Sequence, residues 1–159
     1  MADIKLFVSC HKKVDVPQIA LLLPIQVGTA LEGEKFKGYL HDDEGQNISA
    51  LNRSYCELTA QYWAWKNVNA DYYGFFHYRR YLYPKVTAKF PYRIERNANV
   101  STLKRLGYDK FSDLIEQYDL VLPIHENMYV SVKEHYAKAS FHHETDLAVI
   151  EQIVSENYP

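Results

Sequence analysis

The chain has 159 residues, of which 47% are hydrophobic and 24% charged, and this is typical of one globular domain with a real core. Its formal net charge is −2, so the composition as a whole does not favour a nucleic-acid partner, and any recognition of anions must be local. The 14 tyrosines offer flat apolar faces with polar tips, which either pack in the core or stack on sugars or bases.

The two cysteines are too few for a disulfide framework. We expect Cys10 at a strand end and Cys56 in a helix, both as reduced, partly buried thiols of a cytosolic protein. Met1-Ala2-Asp3 leads directly into a strand, which predicts that no signal peptide is present. The longest apolar run, residues 19–25, is too short to span a membrane.

The first half of the chain alternates β-rich runs with one clear helix. Ile4–Ser9 is predicted as the first strand and Pro24–Gly28 as a short second strand, followed by a polar, turn-rich segment from Gly33 to Gly45. A helix is predicted up to about residues 67–69, and Tyr72–Phe76 is predicted as a central strand. The helix prediction depends on apolar residues that recur every three or four positions: Leu51, Tyr55, Leu58, Tyr62 and Trp65.

The second half has weaker patterns. Pro84–Asn99 is predicted as a long loop, and Leu120–Pro123 as a strand that proline ends. Helices are predicted near Ser112–Gln117 and over Ser131–Ala139 and Glu144–Asn157. Strands that alternate with helices predict an α/β sandwich with a mostly parallel sheet.

The run "HYRR" at the end of the Tyr72–Phe76 strand is the first candidate site. Arginine stays charged and bridges phosphate oxygens with a planar fork, and it is costly to bury alone. If the strand continued, His77 and Arg79 would share one face and Tyr78 and Arg80 the other. The arginines either bind phosphate or pair with a carboxylate: Asp42, Asp43, Glu57 or Asp71.

The pair Asp42-Asp43 is the second candidate. It precedes a helix for which Asn47 or Ser49 is the predicted N-cap, and helix N-termini bind anions, so Asn47, Ser49 and Asn52 are candidate ligands of phosphate or a base edge. The two carboxylates are candidates for a divalent metal or a catalytic base, and the alternative is a solvated turn.

The histidines invite a metal hypothesis that their spacing does not support. No zinc-binding pattern is formed by His125, His135, His142, His143 and Glu144. The sequence contains neither an HExxH motif nor the closely spaced cysteine pair of zinc sites. Glycine-rich phosphate loops and a GxSxG nucleophile motif are also absent from the sequence.

Several blocks carry a resemblance to a known family. "IKLFVSCHK", "PIQVG", "DDEGQNIS", "CELTAQYWAWKN", "ADYYGFFHYRRY", "YDLVLP" and "EHY" occur in an order that resembles bacterial exopolysaccharide and capsular-polysaccharide biosynthesis glycosyltransferases, the family of domain of unknown function 4422. The resemblance covers nearly the whole chain. It implies a GT-A-like, Rossmann-type three-layer sandwich, and some similar enzymes are associated with galactofuranose transfer. Family members run on past the equivalent of Pro159, so residues 1–159 are expected to form a single domain without the family's carboxyl-terminal segment.

The resemblance implies a nucleotide-sugar site. GT-A enzymes place a metal-binding Asp-x-Asp after a central strand, where this chain has "HYR", so Arg79 and Arg80 are expected to neutralise a diphosphate in the place of an ion. His77 would bind phosphate or, with Asp43, ligate a metal, and Asp42 and Asp43 are the candidates for the base. The other expected contacts with the nucleotide are Ser9, His11, Lys12, Asn47, Ser49, Asn52 and Tyr55.

The implied function is transfer of a sugar from a nucleotide-sugar donor, a UDP-sugar above all, to a saccharide or lipid-linked saccharide of a cell-surface polysaccharide. The expected place is the cytoplasm, at the inner face of the membrane, with Mn²⁺ or Mg²⁺ as an open cofactor question and a homo-oligomer as a further expectation. The alternatives are a non-catalytic nucleotide- or glycan-binding module and a metal-dependent hydrolase.

Overall fold

The computed structural model describes residues 2–84, 94–95, 98–123 and 129–158. The chain falls into two compact units, Met1–Pro123 and Ile124–Pro159. The first unit is an α/β structure, and the second contains two helices. The single domain over residues 1–159 stays a prediction.

The centre of the first unit is a four-stranded sheet in which all strands are parallel, in the order β3-β2-β1-β4. The predicted first strand is confirmed and extends to Cys10, whereas the second begins and ends two residues earlier than predicted. The strand predicted as central, β4, lies at the edge of this sheet. The strands are β1 (Ile4–Cys10), β2 (Leu22–Gln26), β3 (Leu40–His41) and β4 (Tyr72–His77).

Both faces of the sheet are covered, which gives the predicted three-layer α/β sandwich. Alternate residues of β1 point to opposite faces. Leu6 and Val8 join a cluster with Tyr108 and Phe111 on one side, while Phe7 packs on the other. Because the middle of β1 is buried on both faces, Leu6, Phe7 and Val8 are three apolar residues in a row, as expected of an inner parallel strand.

The long predicted helix is two helices separated by a break. Cys56 has φ 46°, a left-handed conformation that a regular helix does not contain, and it is exposed rather than partly buried in a helix as predicted. The core face of the second helix consists of Thr59, Ala60, Trp63 and Ala64, so the apolar stripe that predicted the helix faces away from the core. These helices are α1 (Asn52–Tyr55) and α2 (Leu58–Asn67).

The remaining elements of the first unit cover the opposite face. A helix was expected near Ser112–Gln117 and occurs one residue earlier, and the helix before it was not predicted. The predicted strand Leu120–Pro123 is wrong, since these residues form no strand and the side chains of Leu120 and Leu122 are exposed. The elements are β5 (Tyr81–Leu82), which pairs with β6 (Ile94–Glu95), α3 (Val100–Arg105) and α4 (Phe111–Ile115). Much of the predicted loop Pro84–Asn99 lies outside the described residues.

The second unit contains the two helices predicted for it, α5 (Val132–Lys138) and α6 (Glu144–Asn157). Ser131 caps α5 by accepting a hydrogen bond from the Glu134 backbone N–H across 3.1 Å. The Tyr136 hydroxyl donates to Asp146 at 3.1 Å, and its ring stacks on His142 with centroids 4.1 Å apart. Among the described residues, no helix is both long and apolar enough to cross a membrane.

Candidate functional site

The strand order creates a crevice at one edge of the sheet. The chain runs from β1 to β2 and β3 on one side and then returns to place β4 on the other side of β1. The segments that follow β1 and β4 therefore leave the sheet side by side, at the point where open α/β sheets bind ligands. Ser9 lies opposite His77 in the pairing of these two strands, and its carbonyl accepts a hydrogen bond from the Tyr78 backbone N–H at 3.2 Å.

The "HYRR" run is a turn and not a continuation of the strand. β4 ends at His77, whose carbonyl accepts a hydrogen bond from the backbone N–H of Arg80 at 2.8 Å. The predicted pairing of His77 with Arg79 on one face and Tyr78 with Arg80 on the other is therefore wrong. Both arginine side chains are exposed beyond the end of the sheet.

The ring of Tyr78 contacts four basic side chains, which are His11, Lys12, His77 and Arg79. Together with Arg80, the next residue along the chain, they are here named the cationic cluster. The Lys12 Nζ atom lies 5.7 Å, and the Arg79 Cζ atom 5.3 Å, from the centroid of the Tyr78 ring, which are cation–π distances. The rings of His11 and His77 lie 5.2 and 4.4 Å from the same centroid. Tyr78 thus holds cations from both segments that leave the sheet.

His77 is held by contacts at both ring nitrogens. The Arg79 backbone N–H donates to Nδ1 at 3.1 Å, which requires an unprotonated Nδ1 and places the proton of the neutral ring on Nε2. Nε2 lies 3.7 Å from a carboxylate oxygen of Glu57. Burial lowers the pKa of His77 below its usual value, Glu57 opposes this shift, and Arg79, Arg80 and His11 add to it.

The two arginines do not pair with acidic residues among those that the structure describes. Within the described part of the chain, neither guanidinium forms an ion pair with a carboxylate. The carboxylates considered as partners are occupied elsewhere: Asp71, for example, accepts a hydrogen bond from the Asp3 backbone N–H at 2.8 Å. Exposed cations without internal partners are available to an external anion.

Asp42 is a fully buried carboxylate surrounded by donors. It accepts hydrogen bonds from the backbone N–H groups of Gly28 at 2.8 Å and Thr29 at 3.0 Å, and from the hydroxyls of Ser49 and Thr59, each at 2.6 Å. These contacts link the loop after β2 to both helical segments, and they favour a structural role over that of a base. The partly exposed Asp43 pairs with the exposed Lys35 at 2.9 Å.

The polar residues predicted near the helix N-terminus form hydrogen bonds within the segments that surround Asp42. Asn47 donates to the carbonyls of Asp43 and Gly45, each at 2.9 Å, and accepts from the Ser49 backbone N–H. Asn52 donates to the Cys56 carbonyl at 2.7 Å and the Thr59 hydroxyl at 3.0 Å. Neither Asn47 nor Ser49 is an N-cap of α1 or α2, since neither helix has a side-chain cap. The structure groups Asn47, Ser49 and Asn52 around Asp42, and their predicted contact with a nucleotide stays a prediction.

Tyr55 lies in an apolar groove between β4 and α2, which has a volume of about 550 Å³. Tyr73 and Phe75 of β4 form one wall, and because side chains alternate along a strand, His77 projects from the same face. The groove therefore follows β4 towards the Glu57–His77 pair. Its lining consists of Ile48, Tyr55, Leu58, Gln61, Tyr62, Trp65, Tyr73 and Phe75.

A divalent ion would need several nitrogen, sulfur or oxygen ligands that point to one place. In residues 2–84, 94–95, 98–123 and 129–158, no three or more His, Cys, Asp or Glu side chains come together in a way that could hold a metal. The predicted ligands His77 and Asp43 contact Glu57 and Lys35 instead. His125 lies outside the described residues. The described side chains therefore do not fit a metal centre.

Two residues of the site were not among the predicted ligands. The first is Tyr78, which lies inside "HYRR". Its ring reaches the basic side chains because β4 ends at His77 and the chain turns there. The sequence predicts Glu57 only as a possible ion-pair partner of the arginines, because the helix pattern runs through it without a sign of the break. The break at Cys56 is what brings it to His77.

The fold and its cationic crevice define a glycosyltransferase-like α/β protein. The structure is similar to the solved apo structure of the WbbM bifunctional glycosyltransferase, with a TM-score of 0.88 and 31% sequence identity over 99% of this chain. This chain spans 30% of the length of that chain. Residues 5–159 match the family described as Domain of unknown function (DUF4422), and the chain belongs to that family. A search of curated proteins finds no match.

Proposed function

We propose that this chain is a glycosyltransferase domain that binds the diphosphate of a nucleotide sugar through its cationic cluster. The observation that carries the proposal is the exposed Lys12, Arg79 and Arg80 at the Tyr78 end of the crevice, which form no ion pair with an acidic side chain among the described residues, at the switch point of a glycosyltransferase-like sheet. A diphosphate is the anion in a sugar donor, and Arg79 and Arg80 can contact it with charge-assisted hydrogen bonds.

The chemical role of these cations follows from the reaction. When a sugar leaves its donor, negative charge develops on the departing nucleoside diphosphate, and positioned cations lower the energy of that transition state. Lys12 and His11 follow β1 and the arginines follow β4, so the anion would be held between two segments of the fold. Ser9 contributes through its carbonyl, which positions Tyr78.

The finer function proposed is the extension of a cell-surface polysaccharide (exopolysaccharide, capsule or O-antigen), with a UDP-sugar such as UDP-galactofuranose as donor and a saccharide or lipid-linked saccharide as acceptor. The likeness to a bifunctional glycosyltransferase supports sugar transfer, and the polysaccharide and the donor follow from the resemblance of the sequence blocks described above. The proposed place of action is the cytoplasmic face of the membrane, where nucleotide sugars are available.

The test is a calorimetric titration of the chain with UDP, with and without Mn²⁺. We expect metal-independent binding that Arg79→Ala weakens by about 1.5–3 kcal/mol, or about ten- to a hundredfold in Kd. Arg105→Ala is the matched control, because Arg105 is also exposed but ends α3. Failure of UDP to bind in either condition contradicts the proposal, whereas binding only with Mn²⁺ would replace the arginines by a metal as the diphosphate partner.

A further inference from the structure

We propose that Glu57 is the catalytic base of the site, and that it removes the proton from the acceptor hydroxyl. This inference rests on the proposed donor-binding function and adds a catalytic residue to it. Transfer to a hydroxyl needs a proton acceptor close to the reacting oxygen, and a carboxylate is a common one.

Contacts at the carboxylates distinguish Glu57 from the other candidates. The two oxygens of Asp42 are buried and take four hydrogen bonds, so they are closed to a substrate. Asp43 pairs with Lys35 at 2.9 Å, away from the Tyr78 ring. The side chain of Glu57 is 49% exposed, and its recorded partner is His77 at 3.7 Å.

Nε2 of His77 lies 3.7 Å from a carboxylate oxygen of Glu57, next to the proposed donor site. Because the Arg79 N–H occupies Nδ1, the Nε2 proton of the neutral ring faces the carboxylate. This contact places the Glu57 carboxylate beside the cationic cluster, and it makes His77 a positioning residue for Glu57.

The apolar groove gives an acceptor a place beside this carboxylate. Tyr55 and Leu58, which flank the break that contains Glu57, both line the groove, and so does Phe75, two residues before His77 on the same strand face. A saccharide can lie on the aromatic side chains of the groove with one hydroxyl directed to Glu57, because aromatic rings with polar tips suit a ligand that is part apolar and part polar.

The step balances without a further reactant. The acceptor oxygen forms a bond to the anomeric carbon of the donor sugar, and its proton goes to Glu57. The bond between that carbon and the donor phosphate oxygen breaks, and its electron pair leaves with the nucleoside diphosphate beside Arg79 and Arg80. Glu57 then releases the proton to water. Water can replace the acceptor hydroxyl, so donor hydrolysis uses the same base.

The experiment compares UDP binding with UDP release from UDP-glucose, UDP-galactose and UDP-galactofuranose in water. We expect Glu57→Gln to bind UDP within about twofold of the unchanged chain and to release UDP at least about 100-fold more slowly, the scale of a lost general base. Glu57→Asp, which keeps the carboxylate, should retain a measurable part of the rate. Glu32→Gln is the control, since Glu32 is exposed and lies on the loop after β2.

The outcomes separate this inference from the function beneath it. Absence of UDP binding by the unchanged chain overturns the donor site and this inference together. UDP binding with a release rate that Glu57→Gln does not change overturns the role of Glu57 and leaves the donor site standing, and so does binding without any turnover. A release rate that falls at low pH in the unchanged chain, but not in Glu57→Gln, would support the base directly.

Discussion

The backbone N–H of Arg79 donates a hydrogen bond to Nδ1 of His77 across 3.1 Å. Arg79 therefore positions the His77 imidazole with its backbone and presents its guanidinium to the crevice. This contact sets the tautomer of His77 and keeps the ring against Glu57. The guanidinium of Arg79, the imidazole of His77 and the carboxylate of Glu57 are thus positioned by one turn and one helix break.

The first prediction concerns the protonation of His77. Burial lowers its pKa below the ordinary value of 6.5, with opposition from Glu57 and support from Arg79, Arg80 and His11. A bound diphosphate is an added negative charge, so it should raise that pKa towards or above its ordinary value. Binding then takes up a proton, and affinity should increase as pH falls through the range between the two values.

Nuclear magnetic resonance titration of the His77 ring checks this prediction, with UDP-galactose as ligand because its diphosphate does not itself titrate near neutral pH. An unchanged His77 pKa in the presence of saturating ligand would place the diphosphate away from the cationic cluster. His135→Gln is a suitable control for assignment, since His135 belongs to the second unit.

The second prediction concerns Tyr78 as the support of the cations. Its ring contacts Lys12 and Arg79, and each cation–π contact at an exposed site is worth about 0.5–1 kcal/mol. Loss of both contacts should therefore make Tyr78→Ala bind UDP about five- to thirtyfold more weakly, as measured by calorimetry. Tyr78→Phe keeps the ring and should bind UDP within about twofold of the unchanged chain. Equal losses in both variants would show that the hydroxyl, and not the ring, is what matters.

Sequence patterns predicted the architecture of this protein better than the details of its site. The three consecutive apolar residues Leu6–Val8 specify a buried parallel strand, because a strand covered on both faces has no polar alternation at its centre. The end of β4 at His77 could not be predicted, since "HYRR" is compatible with a strand and only tertiary contacts decide that it turns. The break at Cys56 was equally hidden, because the apolar period runs through it unchanged. Glu57 and Tyr78 acquire their positions from these two irregularities.

The third prediction concerns the buried carboxylate of Asp42. Asp42→Ala leaves the buried donors of Gly28, Thr29 and Ser49 without their acceptor, while the Thr59 hydroxyl can still donate to the Cys56 carbonyl at 3.0 Å. The free energy of unfolding should therefore fall by about 3–5 kcal/mol. Asp43→Ala removes only a partly exposed ion pair with Lys35 and should cost less than about 1 kcal/mol. Urea denaturation measures both values. A stable Asp42→Ala chain that binds UDP but does not turn over donor would restore Asp42 as a catalytic candidate.

The fourth prediction concerns Gly28, whose backbone N–H and that of Thr29 donate hydrogen bonds to Asp42. Its φ is +70°, and a Cβ atom there would lie 2.8 Å from Cγ and Oδ1 of Asn52. Gly28→Ala should lower the free energy of unfolding by about 2–4 kcal/mol, through the left-handed backbone and the overlap together. Gly33→Ala is the matched control, because a Cβ at Gly33 meets nothing within 4 Å. Comparable urea midpoints for the two variants would contradict this account of the turn.

The fifth prediction uses the contrast between the two free thiols. Burial raises the pKa of Cys10 to about 12, against a smaller opposite effect of the Tyr39 hydroxyl, and its Sγ donates to the Val8 carbonyl at 3.3 Å. Cys56 is exposed at the break between α1 and α2. Since the thiolate is the reactive form, a thiol reagent such as dithiobis(nitrobenzoic acid) at pH 8 should modify one cysteine quickly and the second only after unfolding in urea. Cys56→Ser should remove the fast phase and Cys10→Ser the slow one. Two fast thiols in the folded chain would mean that the carboxyl end of β1, and with it the base of the candidate site, opens to solvent.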